Sequence, residues 1–115
     1  MLKLFTSSRQ AVTPTLSIRK AYPFIGFNKA AVAVCELKKY SYGRFFWDAQ
    51  AKTIVIEFTL DKIEGSYKLI KNERAGCMIN ATAFLDYIDK KRLFRGRVFT
   101  VRWDQRKHLM TACVR

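Results

Sequence analysis

Two periodicities divide this chain: apolar and polar residues alternate strictly in several short stretches, and fall three and four apart in others. Leu16-Ser17-Ile18-Arg19 alternates as a half-buried strand does, and Pro23 separates it from the apolar run Phe24-Ile25-Gly26-Phe27. Gly43 to Trp47 and Thr53 to Phe58 are β-branched and aromatic, and Asp48 to Lys52 between them reads as a hairpin loop. Phe45 and Trp47 share one strand face, as do Ile54, Ile56 and Phe58, so a paired register turns both sets into one core. Ser66 to Ile70 and Cys77 to Ile79 flank a turn at Asn72 to Gly76. Arg97 to Trp103 and Leu109 to Val114 form a further hairpin around the basic loop Asp104 to Lys107.

Asn28 and Asn80 stand where helix N-caps belong, because a short side-chain oxygen can accept from a free N–H of the first turn. The first helix is expected to run from Ala30 towards Lys38-Lys39. In the second, Phe84, Leu85 and Ile88 make the apolar stripe while Asp86 and Asp89 face solvent.

Asn28 and Asn80 each lead after ten residues to Lys-Lys, at Lys38-Lys39 and Lys90-Lys91, and then to Trp-Asp, at Trp47-Asp48 and Trp103-Asp104. The second Lys-Lys to Trp-Asp interval is four residues longer, as one loop insertion would make it. The pattern is an internal repeat. It divides the chain into a basic N-terminal arm, residues 1–15, and one globular domain, residues 16–115, with copies over 16–59 and 66–115 and a charged linker from Leu60 to Gly65. A strand-strand-helix-strand-strand unit under about 50 residues exposes too much apolar surface to stand alone. The expected fold is α+β and β-rich: two such units in a pseudo-two-fold barrel or paired sheets, with two short helices.

Composition changes the picture mainly through charge. Lys plus Arg number 22 against 9 Asp plus Glu, a formal net charge of +13 with a pI of about 10.1. A polyanion is the natural partner, DNA or RNA first and an acidic protein surface second. Residues 65–115 hold most of the excess, and the densest stretch is Lys90, Lys91, Arg92, Arg95, Arg97, Arg102, Arg106 and Lys107. Brought to one face, these positions make a phosphate-contacting footprint, which attracts and positions a nucleic acid without reading its sequence.

Cys35, Cys77 and Cys113 are widely spaced, odd in number and set among apolar neighbours, which reads as buried free thiols in a reducing compartment. His108 is the lone histidine and is expected to be structural. The chain carries no Gly-rich phosphate loop, HExxH motif or nucleophile elbow, and Asp86 and Asp89 beside Lys90 make a poor acid/base pair, so neither an enzyme nor a cofactor is expected. No apolar run reaches the ~18–20 residues of a membrane span. A cytoplasmic monomer or homodimer is expected, with nucleoid association as one alternative and, from the acid-free N-terminus, organellar import as a minor one.

Leu16 to Phe58, with Leu37-Lys38-Lys39 after the helix and a hairpin ending in Ile54-Val55-Ile56, resembles the small DNA-binding domain of the AbrB/MazE/SpoVT class. The resemblance implies a swapped-hairpin or double-psi barrel, here fused into one chain, with basic ribbon residues on DNA: Arg19 and Lys20 in the first ribbon, Lys68, Lys71 and Arg74 in the second. The interleaved aromatics and arginines are also similar to single-strand binders of the PC4/Whirly kind, in which bases stack on exposed aromatics; Arg44, Phe46, Tyr67, Arg95, Arg97, Phe99 and Arg102 would supply that surface. A toxin–antitoxin or phage accessory protein, using the same fold for protein contact, is a further expectation.

Overall fold

The structure, a computed structural model, describes residues 13–72 and 76–114. Eight antiparallel strands form a closed barrel: β1 (Thr15–Ile18), β2 (Phe24–Phe27), β3 (Tyr42–Asp48), β4 (Thr53–Thr59), β5 (Ser66–Asn72), β6 (Gly76–Asn80), β7 (Val98–Asp104) and β8 (Leu109–Cys113). Helix α1 (Lys29–Val34) lies between β2 and β3, and α2 (Thr82–Ile88) between β6 and β7. Around the barrel the order is β1-β2-β6-β5-β3-β4-β8-β7. The architecture is thus β-rich α+β in barrel form.

Alternation decides what faces inward. In β4, Ile54, Ile56 and Phe58 are fully buried while Thr53, Val55, Glu57 and Thr59 stand between them. Register sets Phe45 against Ile56 and Trp47 against Ile54, as the shared core face requires. An eight-stranded barrel is just wide enough for side chains to fill, and here Leu16, Ile18, Ile25, Phe27, Ile79 and Met110 complete the filling. Gly43 makes room for it: a Cβ there would meet Ile79 Cδ1 at 2.8 Å and Ile56 Cγ2 at 3.3 Å. Gly76 is constrained more severely, with φ +89° and a would-be Cβ 2.2 Å from the carbonyl oxygen of Phe27.

The pairing has a formal regularity. Exchanging β1–β4 with β5–β8 leaves every ladder in place, since β1/β7 becomes β5/β3 while β2/β6 and β4/β8 become themselves. The left-handed residues follow it: Glu36 and Arg92, like Lys52 and His108, stand the same distance apart in sequence as Trp47 and Trp103. Lys38-Lys39 follows a left-handed residue whereas Lys90-Lys91 precedes one, so the two Lys-Lys pairs are not equivalent in place.

Asn28 is the expected cap, its Oδ1 accepting from Ala31 N at 2.9 Å. It does more: Oδ1 also accepts from Thr15 N at 3.1 Å and Nδ2 donates to Thr13 O at 2.8 Å, clamping the start of β1. Thr13 to Thr15, assigned from sequence to the arm, thus belong to the fold; residues 1–12 lie outside the described residues. The first helix stops at Val34 instead of reaching Lys38-Lys39. Continuing its buried face Ala31, Val32 and Cys35 by three or four residues would drive those lysines into the core. A left-handed residue at Glu36 turns the chain into a 3₁₀ turn, Leu37–Lys39, which buries Leu37 and leaves both lysines exposed. At α2 the cap position is Ala81, and Asn80 Oδ1 instead accepts from Thr82 Oγ1 at 2.7 Å and more weakly from Thr82 N at 3.3 Å. Phe84 of α2 stacks on Phe45 with ring centroids 4.7 Å apart.

The two glycines predict an ordering in urea denaturation. Gly43→Ala should cost about 1–3 kcal/mol, because the obstructing groups are movable methyls. Gly76→Ala should cost more, since it adds positive-φ strain to a clash with a backbone oxygen.

Candidate nucleic-acid interface

Three segments meet at one end of the barrel: the β1–β2 turn, the start of α2, and the loop from Asp89 to Arg97. Backbone bonds tie them. Ala81 N donates to Pro23 O at 2.8 Å, Gly96 N to Ile18 O at 2.7 Å and Ile18 N to Arg97 O at 3.0 Å. An Arg92 guanidinium N–H reaches Lys20 O at 3.4 Å. Arg19 and Lys20 are thereby brought beside Arg92 and Arg97, with Lys90 and Lys91 in the same loop, all exposed. Two tyrosines that the sequence did not single out are also exposed, Tyr22 in the β1–β2 turn at 66% and Tyr87 near the C-terminal end of α2 at 67%, as is Leu93 of the loop.

The loop holds this shape because of Asp89, which is 3% exposed rather than solvent-facing as its helical position suggested. Its Oδ1 accepts from Leu93 N at 2.6 Å and Phe94 N at 3.1 Å, and its Oδ2 from Arg95 Nε at 3.2 Å. Burial follows from that partnership, since a carboxylate can leave water where backbone donors and a guanidinium replace it. Arg95 is consequently not a surface cation: its side chain is 7% exposed and also lies 3.7 Å from Asp86.

Other expected contacts separate as well. Arg106 and Lys107 sit at the β7–β8 turn, where Asp104 Oδ1 accepts from both backbone N–H groups, and Arg97 precedes the other end of β7. Seven strand residues at ~3.3 Å each divide the two groups. The dense basic stretch does not form one footprint. Lys107 instead borders Lys39 and Tyr40, whose hydroxyl meets His108 Nδ1 at 2.6 Å. His108 lies in the turn, not in a strand, with φ 54°. Arg102 is exposed on the barrel wall, where it pairs in register with Thr111. Arg44 is held by Glu57 at 2.7 Å and lies 5.2 Å from the Phe46 ring centroid. Phe46 is partly exposed, Tyr67 half-buried beside Phe45, and Phe99 a core residue beneath the Arg97 guanidinium, so the expected stacking wall keeps one of its three aromatics.

Lys68 and Lys71 are exposed on β5; Arg74 lies outside the described residues. Lys71 Nζ donates to Lys38 O at 2.6 Å, joining β5 to the 3₁₀ turn. Cys35 and Cys77 are buried as expected, but Cys113 is exposed. Burial pushes the Cys35 thiol up to about 11. It also raises that of Cys77, against the opposing pull of Lys71 and Lys38. Among the described residues no group of His, Cys, Asp and Glu is arranged to hold a metal, and no helix is long and apolar enough to cross a membrane.

Asp89→Ala should destabilise the protein by about 3–5 kcal/mol in chemical denaturation, the cost of leaving Arg95 buried without its partner. With a thiol reagent at pH 8, Cys113 should label rapidly in the native state and Cys35 only on unfolding, read by mass spectrometry of digests; a raised pKa leaves Cys35 about one part in a thousand thiolate there. In comparisons with known proteins no family model matches this chain, and neither a curated protein nor a solved structure gives a significant match.

Proposed function

We propose that the protein is a non-catalytic nucleic-acid-binding protein that holds a single strand on the barrel end built by the β1–β2 turn, α2 and the Asp89–Arg97 loop. The observation that carries this reading is the convergence of Arg19 and Lys20 with Arg92 and Arg97, cations far apart in sequence joined by backbone hydrogen bonds. Phosphates contacted there release counterions, which supplies affinity without sequence preference. Tyr22 in the β1–β2 turn and Tyr87, two residues before the Asp89–Arg97 loop, are exposed and offer ring faces for unpaired bases, each stack contributing roughly 1–3 kcal/mol. A duplex hides its base faces, so the tyrosines favour a single strand.

In the same reading the two halves are copies of one unit. The self-consistent strand exchange and the matching separations of Glu36 from Arg92 and Lys52 from His108 support it. The order of elements supports kinship with the AbrB/MazE/SpoVT class as a fused pair, and the basic, aromatic barrel end supports the mode of the PC4/Whirly binders.

Fluorescence anisotropy with labelled single-stranded DNA, single-stranded RNA and duplex DNA over a range of salt tests the proposal. Single strands should bind more tightly than duplex, and K20Q together with R92Q should shrink the log–log salt slope by ~0.7 for each phosphate no longer neutralised. Tyr22→Ala with Tyr87→Ala should weaken binding while leaving that slope unchanged. Absence of salt-dependent binding to any of the three would overturn the proposal and favour an adaptor that docks on an acidic protein.

A further inference from the structure

At the opposite end of the barrel lies a second basic surface, built from residues outside the densest basic stretch of the sequence. Strand β2 runs from Phe24, beside the β1–β2 turn, to Phe27, which pairs with Cys77 near the start of β6. The β1–β2 turn and the start of β6 therefore sit at opposite ends of the β2/β6 ladder. Around the far one is an open groove of about 790 Å³ whose walls carry Lys29, Lys38, Lys39 and Lys71 over a floor that includes Val32 and Cys77. These lysines come from α1, the 3₁₀ turn and β5, and the bond from Lys71 Nζ to Lys38 O brings the last two together. Among the described residues lining the groove the one acid, Glu36, lies 3.0 Å from Lys39 and so offsets a single ammonium. These described residues carry a net positive charge.

The sides of the barrel between the ends are different. Register aligns Ile70, Met78, Gly26, Ser17 and Val98 as one row across β5, β6, β2, β1 and β7, alternating with the core residues of those strands. None of these five side chains is charged, and the one guanidinium recorded against the row is that of Arg19, whose Nε lies 3.5 Å from where a Cβ on Gly26 would stand. On the other side the row is Phe46, Val55, Thr111 and Arg102, with a single cation.

We infer that the groove of Lys29, Lys38, Lys39 and Lys71 is a second phosphodiester-binding site, independent of the first, so that one chain holds two nucleic-acid strands, one at each end. The inference rests on the nucleic-acid reading and extends it from one site to two. It also accounts for the placement of the excess charge: acids of the first half that would neutralise its lysines are turned elsewhere, Glu57 to Arg44 and Asp48 to the β3–β4 turn. A protein so built brings two strands side by side.

The test uses the full chain with donor-labelled and acceptor-labelled oligothymidylates of about 10 nucleotides, a length within the range of single-strand site sizes. Energy transfer should appear when protein is added, with two oligonucleotides bound per chain by analytical ultracentrifugation, which also reports whether the chain itself is monomeric. K29Q with K38Q should lower the stoichiometry to one and abolish the transfer, while K20Q with R92Q should do the same from the other end. Both pairs alter exposed side chains and leave the Lys38 carbonyl in place, and far-UV circular dichroism confirms folding. One oligonucleotide per chain, unaffected by K29Q with K38Q, would overturn the second site and leave the first standing. Transfer confined to protein dimers would overturn it equally. No oligonucleotide bound at all would instead overturn the nucleic-acid reading beneath it.

Discussion

Closure of the strand ring is the constraint on which the rest depends. Each of the eight strands carries two rows of backbone donors and acceptors, and an open sheet of this size leaves an edge exposed to pairing with other chains. Here the ring closes through ladders between the halves, β2 with β6, β4 with β8, β3 with β5 and β1 with β7. Neither half can satisfy its backbone alone. Each contributes half of the wall around a common interior in which Phe27, Phe58, Ile56 and Ile79 are nearly or fully removed from water.

The same closure sets the ends. Antiparallel pairing of β2 with β6 sends the β1–β2 turn and the start of β6 to opposite poles, and each meets a helix start there: Pro23 O accepts from Ala81 N at one pole, and a Cβ on Gly76 would meet Phe27 O and the Asn28 carbonyl carbon at the other. The segment after each helix then folds over its pole and is tied to the ribbon by a cation on a carbonyl, Arg92 to Lys20 and Lys71 to Lys38. Basic residues from distant parts of the sequence accumulate at both poles as a result. The proposed single-strand site and its proposed counterpart use this geometry.

The interior was largely legible from local pattern. Period-two alternation identified Ile54, Ile56 and Phe58 as core, and the Asn28 cap stood where the apolar run begins, because strand alternation and capping are written over a few consecutive residues. The site was less legible. Arg95 sits among exposed cations in sequence, yet its guanidinium is buried on Asp89, a carboxylate whose spacing on α2 suggested solvent. Lys38 and Lys39 fall in a stretch where acids balance the bases, so a count along the chain conceals them. Tyr22 and Tyr87 gave no signal beyond sitting in a turn before Pro23 and beside Asp86.

Sequence by itself determined the strands, the Asn28 cap, the β3–β4 and β7–β8 turns and the basic character of the molecule, since each depends on neighbours within a few residues or on a sum over all of them. Tertiary structure alone decided which cations face water together, which are consumed in ion pairs, and where α1 must stop. Leu37 illustrates the reason. Its burial requires the left-handed turn at Glu36 and leaves Lys38 and Lys39 outside, and that choice is set by the barrel it packs against, whose walls come from strands on both sides of it in the chain.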